Sequence, residues 1–213
     1  MAILTKPTIL KRLKDGDLSF APSLDQFQLH PHSIDLRLGF TFLVPKSWKA
    51  TPGGRESISL DPFAEETNKF DVIELEKGQF FDLLPGEHVT VSTLESVKIP
   101  NDLLAILYPR SSTNRRGLAV DLSGLIDAGY EGQLIIPIRN NTKSQTIRLY
   151  PGERICQITL EELEAPVEPR PSRYHKKDII DGELIGALPK EKEIEIDLIK
   201  RGEIMQLKQE HAI

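Results

Sequence analysis

Between Gly124 and Leu134 the chain reads GLIDAGYEGQL, which sets one carboxylate, Asp127, between an apolar triplet and a glycine-bounded aromatic turn. A carboxylate on such a bend can serve as a general base toward water. Leu125 and Ile126 read as the buried end of a strand, Gly129 and Gly132 as turn positions that tolerate unusual backbone angles, and Leu134 to Ile136 as the strand that leaves. This turn is expected to hold Asp127 close to Tyr130. Shortly before it, YPRSSTNRRG gathers Arg110, Ser111, Ser112, Arg115 and Arg116 around a second turn, a donor set suited to a polyanion. An acid beside a phosphate cradle constitutes a reaction centre.

These residues need a scaffold, and the pattern predicts a β-rich one. Residues 6 to 15 read as a short helix capped by Thr5 and ended by Gly16, with Ile9, Leu10 and Leu13 on one face. SIDLRLG, Ser33 to Gly39, alternates Ile34, Leu36 and Leu38 against Ser33, Asp35 and Arg37, as a half-buried strand does, and continues through Thr41 to Val44. Residues 45 to 70 are rich in Pro, Gly and charge, which predicts a long excursion with a brief strand near Ile58 to Leu60. From 71 to 166 the chain reads as short strands between turns, and part of it repeats. Segments 77 to 100 and 143 to 166 share ten identities, among them Pro85/Pro151, Gly86/Gly152 and Glu87/Glu153. Each Pro-Gly pair favours a type II turn, so two equivalent strand-turn-strand units are expected in one sandwich or barrel. Pro166 and VEPRPS mark the end of a β domain spanning 1–166, leaving 167–213 as a C-terminal arm or extension. Within that extension Ile194, Ile196 and Leu198 permit an edge strand, while LIKRGEIMQLKQ permits a frayed helix; periodicity does not decide.

A net charge of -5 and a pI near 5.6 argue against a general nucleic-acid binder or an anionic-membrane binder. A single cysteine, Cys156, excludes an intrachain disulfide and fits a reducing compartment. MAILTKPTILKRL is too short and too broken for a signal or membrane segment, so the expected location is the cytoplasm. Cys156 follows Ile155 in an apolar strand and reads as core packing. His30 and His32 flank Pro31, but no Cys or His pair completes a zinc site. Asp35, beside Arg37, reads as a structural ion pair or an assistant to a phosphate, and is left out of the catalytic set.

Taken together, SIDLRLG, YPRSSTNRRG, GLIDAGYEGQL and PGERICQITLEEL resemble, in order and spacing, the trimeric dUTPase and dCTP deaminase superfamily over roughly residues 1 to 175. The resemblance implies a mainly β, jelly-roll-like distorted barrel with a short N-terminal helix and a C-terminal arm. It further implies a homotrimer with sites at subunit boundaries, and a deoxypyrimidine nucleoside triphosphate as ligand. Mg²⁺ would be held mainly by the triphosphate, with no direct protein ligand. By the same resemblance Asp127 is the water-activating acid, Arg110 and Ser111 bind phosphates with Ser112 and Arg115 assisting, Tyr130 lies against the deoxyribose, and Gln157 lies near the nucleotide. Arg173 and Tyr174 match a closing segment.

The two branches of the superfamily run different reactions. SIDLRLG and the N-terminal helix resemble the deaminases; Pro109 before Arg110, and GLIDAGYEG, resemble the dUTPases. Deaminases of this kind are expected to carry a proton-shuttling Glu on the strand after the acid turn, where this chain has Pro137. Glu131 and Glu161 are nearby in sequence, but Glu131 is expected in the turn rather than on the strand, and VDLSGLID is one residue shorter than the deaminase pattern and lacks its histidine. The glycine-rich arm of dUTPases is also missing. The expected activity is therefore a dUTP diphosphatase, converting dUTP and water to dUMP and diphosphate, with deamination of dCTP undetectable. A dCTP deaminase, bifunctional or not, and a catalytically silent nucleotide-binding relative are the alternatives.

Overall fold

The computed structural model describes residues 2–58, 69–121, 124–169, 179–180 and 190–211. Helix α1, Lys6–Asp15, carries Pro7 in its first turn and stops at Gly16, where φ is 80° and the amide donates to the Arg12 carbonyl. Thr5 occupies the N-cap without making a side-chain cap bond. The strands are then β1 (Ser19–Ala21), β2 (Ile34–Pro45), β3 (Trp48–Thr51), β4 (Gly54–Ser57), β5 (Phe70–Glu74), β6 (Phe81–Leu83), β7 (His88–Lys98) and β8 (Leu103–Pro109). A one-turn helix, α2 (Ser111–Arg115), precedes β9 (Leu118–Val120), β10 (Leu125–Ile126), β11 (Glu131–Asn140), β12 (Ile147–Leu149) and β13 (Arg154–Glu162). Two helices, α3 (Lys190–Lys200) and α4 (Ile204–Glu210), follow. The open choice in the extension is thus resolved as helix.

The main sheet is antiparallel, in the order β10-β8-β13-β2-β7-β11-β9, with β1 added to β7 and β5 to β2. Laid flat, the two end strands of this path would lie about 29 Å apart at the usual strand spacing. The chain from Val120, at one end, to Leu125, at the other, reaches at most about 18 Å. The sheet must therefore curl, and the result is the mainly β, distorted barrel that the pattern predicts. Its interior is filled by fully buried side chains, Ile34, Leu36 and Phe42 of β2, Leu103 of β8, and Ile136 of β11 among them. Each contributes roughly 1.5–3 kcal/mol on removal from water.

The repeat has a structural meaning. β6 and β12, the first strands of the two copies, pair with each other, while the second strands, β7 and β13, flank β2 on either side. Both Pro-Gly turns close as expected, with Gly86 and Gly152 at φ 76° and 87° and the amides of Glu87 and Glu153 donating to the carbonyls of Leu84 and Tyr150. Phe81 of β6 stacks on Phe42 at 4.6 Å, fastening the small pair of strands to the barrel.

Two local readings need correction. The excursion from 45 to 70 contains the hairpin β3–β4, turned at Pro52-Gly53, in addition to β5; of the strand expected at Ile58 to Leu60, only Ile58 is described, outside any strand, and residues 59–68 lie outside the described residues. Gly132 belongs to β11, not to the turn.

Candidate functional site

The predicted residues fall into two groups at opposite ends of β8. Ile126 pairs with Ala105 near the start of that strand, which places Asp127 beside Leu104, whereas Arg110 follows the strand's last residue. Six residues of extended chain separate the two positions, about 20 Å. Within one chain a strand of this length holds acid and cradle apart.

At the far end, Arg110 leaves β8 as the N-cap of α2, and its carbonyl accepts the amides of Thr113 and Asn114. Ser111, Ser112 and Arg115 are exposed on that turn. The Arg110 side chain is held from below. Its Nε meets Asp35 Oδ2 at 2.9 Å, and its Nη1 donates to the Arg154 carbonyl at 3.0 Å. Asp35 is 1% exposed, although the alternation of SIDLRLG put it on the polar face. β2 is covered on both sides there, so its inward and outward residues alike are buried. The ion pair with Arg37 is absent: Arg37 turns to Asp25 at 2.7 Å and to the Gly152 carbonyl at 2.6 Å. Instead the same Asp35 oxygen also receives Arg154 Nη1 at 3.1 Å and faces His30 Nε2 at 3.1 Å. Gln157 is directly across from Asp35 on β13 and lies 3.4 Å from the Ser33 hydroxyl. A carboxylate this deep is stable only when cations satisfy it, and two arginines do so here. Sequence reasoning missed Arg154, and weighed His30 only as a zinc ligand, because their contact with Asp35 depends on how the chain folds back, though Arg154 lies inside the quoted PGERICQ motif.

At the near end, the turn closes as predicted, with the Tyr130 amide donating to the Asp127 carbonyl at 3.2 Å. Gly129 has φ 77°, and a Cβ there would meet Pro169 and, at 2.9 Å, Asn101 Oδ1. Tyr130 bonds its hydroxyl to the Gln133 carbonyl at 2.6 Å. The Asp127 carboxylate is exposed and, among the described residues, has no hydrogen-bond partner, so it is available to a water. It stands at a cavity of about 300 Å³ walled by Leu104, Leu125, Ala128, Leu163, Val167 and Pro169. The recess is mainly apolar, and Glu168 lines it together with Asp127.

Between the two ends lies Pro137. Its carbonyl accepts the Asp121 amide at 2.9 Å, so its ring nitrogen faces β9 and offers no return donor. The ladder loses a bond at that rung, and β9 ends at Val120. Continuing the register of Val120 with Ile138 puts Asp121 directly across from Pro137, their side chains on one face and their Cα atoms about 5.5 Å apart. Asp121 is exposed. Glu131, expected in the turn, is instead the first residue of β11, six residues before Pro137, and Glu161 is near the end of β13.

Cys156 is fully buried, and burial pushes its thiol well above the ordinary range, which leaves it inert. Arg173 and Tyr174 lie outside the described residues. Among the described residues no three His, Cys, Asp or Glu side chains converge as a metal site, and no helix is long and apolar enough to cross a membrane.

The pattern of a dCTP deaminase-like family matches residues 3–163. A protein of Dictyoglomus thermophilum named dCTP deaminase, dUMP-forming, is 40% identical over 178 residues, covering 82% of this chain and 86% of its own. A protein of the same name from Methanobrevibacter smithii is 32% identical over 190 residues, covering 83% and 92%. The crystal structure of 2'-deoxycytidine 5'-triphosphate deaminase from Agrobacterium tumefaciens superposes with a TM-score of 0.56 at 29% identity, over 74% of this chain and 48% of that one. These relatives overturn the expectation of a dUTP diphosphatase. The dUTPase-like details, Pro109 and the GLIDAGYEG turn, and the replacement of the expected Glu by Pro137 are local departures within a chain whose larger similarity is to deaminases.

Proposed function

Because the chain belongs to the dCTP deaminase-like family, we propose that it is a dCTP deaminase of the dUMP-forming kind, an enzyme that consumes two waters and yields dUMP, ammonia and diphosphate. The observation that carries this reading is the similarity over more than four-fifths of the chain to relatives bearing that name, combined with retention of an acid for each step. One water adds to the amino-bearing ring carbon as a proton reaches the ring nitrogen, and ammonia leaves; a second attacks the α-phosphorus, and diphosphate leaves. The first step needs a carboxyl that can take and return a proton. Pro137 cannot do so, and Asp121, its neighbour across the rung, supplies the acid at that place. For the second step Asp127 activates the water, while Arg110 and Ser111, with Ser112 and Arg115, bind phosphate oxygens and offset the developing charge. Tyr130 and Gln157 contact the nucleoside. A Mg²⁺ ion would arrive on the triphosphate.

The separation of about 20 Å between Asp127 and Arg110 fits a site shared between copies, and a homotrimer is the assembly we propose, acting in the cytoplasm. The test is product analysis after incubation with dCTP and Mg²⁺. Ammonia, dUMP and diphosphate in equal amounts are expected. Turnover of dUTP to dUMP with no ammonia from dCTP would overturn the reading.

A further inference from the structure

We infer that Arg154 is a second phosphate-binding arginine of the Arg110 cradle, and that Asp35 is the positioning residue that aims both. The inference rests on the reading of Arg110 as the phosphate end of the site. Asp35 Oδ2 is a single acceptor shared by Arg110 Nε at 2.9 Å, Arg154 Nη1 at 3.1 Å and His30 Nε2 at 3.1 Å. Asp35 carries one negative charge and is 1% exposed; the two guanidinium groups carry two positive charges and are partly exposed. The cluster is thus left with an uncompensated positive charge directed toward solvent.

The fork geometry says which atoms carry it. Arg110 directs Nε and Nη1 inward, to Asp35 and the Arg154 carbonyl, and Arg154 directs Nη1 inward, to Asp35 and the Phe27 carbonyl. Among the described residues Nη2 of each arginine has no partner. Arg37, next to Asp35 in sequence, shows the contrast: its Nε and Nη2 are spent on Asp25 and its Nη1 on the Gly152 carbonyl. A guanidinium fixed through its other nitrogens, with Nη2 left open, is prepared for a phosphate oxygen at little entropic cost. Strand pairing fixes the spacing, since Pro109 is across from Cys156 and the Arg110 amide donates to the Ile155 carbonyl. The two open Nη2 groups therefore belong to adjacent strand ends and can serve one polyphosphate chain.

The test is binding without turnover. Inorganic tripolyphosphate, dCTP, dUTP and dCMP are titrated calorimetrically into the unmodified protein and into Arg154→Met, Arg154→Lys and Asp35→Asn. Arg154→Met is expected to weaken tripolyphosphate and both triphosphates by about 10- to 100-fold, the effect of losing one charged hydrogen-bonding partner, and to leave dCMP nearly unchanged. Lys should recover part of the loss, because it restores charge without the fork. Asp35→Asn should weaken the triphosphates likewise, and Arg154→Met added to it should cost less than it does alone. Should Asp35→Asn fail to fold, the two Arg154 variants decide the matter. Unchanged tripolyphosphate binding in Arg154→Met, with loss in Arg110→Met, would overturn the inference and leave the deaminase reading intact. Loss of tripolyphosphate binding in a protein that releases no ammonia from dCTP would sustain the inference while that reading fell.

Discussion

Asp127 is the simplest residue to interrogate, because its exposed carboxylate supports nothing else in the fold. Asp127→Asn is nearly isosteric, so melting temperature and nucleotide affinity should hold while release of diphosphate falls by about 10² to 10⁴-fold. Unaltered diphosphate release would move the water-activating role elsewhere. A different buried carboxylate, Glu95 on β7, gives a pH signature. Burial raises its pKa, partly opposed by the Arg37 amide at 2.9 Å and Gln28 Nε2 at 2.7 Å. A raised folded pKa means the folded state holds the proton more tightly than the unfolded chain, whose value is about 4.3. The contribution is complete below that value and is withdrawn as pH rises through the folded pKa. Denaturant melts of the unmodified protein and Glu95→Gln between about pH 4 and 7 should therefore show the variant gaining relative stability as pH rises. A constant difference across that window would contradict the burial argument. Neither Glu95 nor Asp35 could be picked out from sequence as a buried acid. Alternation assigned Asp35 to the wet face, and only the covering of both faces of β2 shows otherwise.

At the scale of elements, the Asp127 turn depends on one glycine. Gly129→Ala forces an L side chain into φ 77° and pushes a methyl group into Pro169 and Asn101. A loss of at least about 1 kcal/mol is expected, with diphosphate release falling alongside as Asp127 moves. A variant with unchanged melting temperature would show that the segment carrying Pro169 gives way freely. The turns were legible in advance because glycine and proline write backbone geometry directly into sequence, and the repeat exposed β6–β7 and β12–β13 as equivalent units. The β3–β4 hairpin was not, since its Thr-Pro-Gly-Gly turn lies among charges that read as loop. Pro137 was noticed as a missing acid, but its effect on β9, and so the position of Asp121, follows only from the hydrogen-bond ladder.

At the scale of the molecule, the motifs showed the family and the mainly β barrel, while where acid and cradle stand relative to each other is set by the strand between them. Acid and cradle are close in sequence and at opposite ends of one strand. A shared site predicts complementation: Arg110→Ala and Asp127→Asn, each inactive in diphosphate release, should regain up to about a quarter of full activity when unfolded together and refolded as mixed trimers, since that share of sites pairs two intact halves. No recovery, in mixed oligomers verified by mass, would place the whole site in one chain. The family assignment reversed the balance between hydrolysis and deamination that Pro137 alone had suggested, and Asp121 is where the two observations meet. Ammonia release from dCTP, followed in the unmodified protein and in Asp121→Asn, tests that point most directly. The account predicts steady release by the unmodified protein and a fall of at least about 10²-fold in the variant with its affinity for dCTP retained. An unmodified protein that releases no ammonia, or a variant that releases it at the same rate, would contradict it.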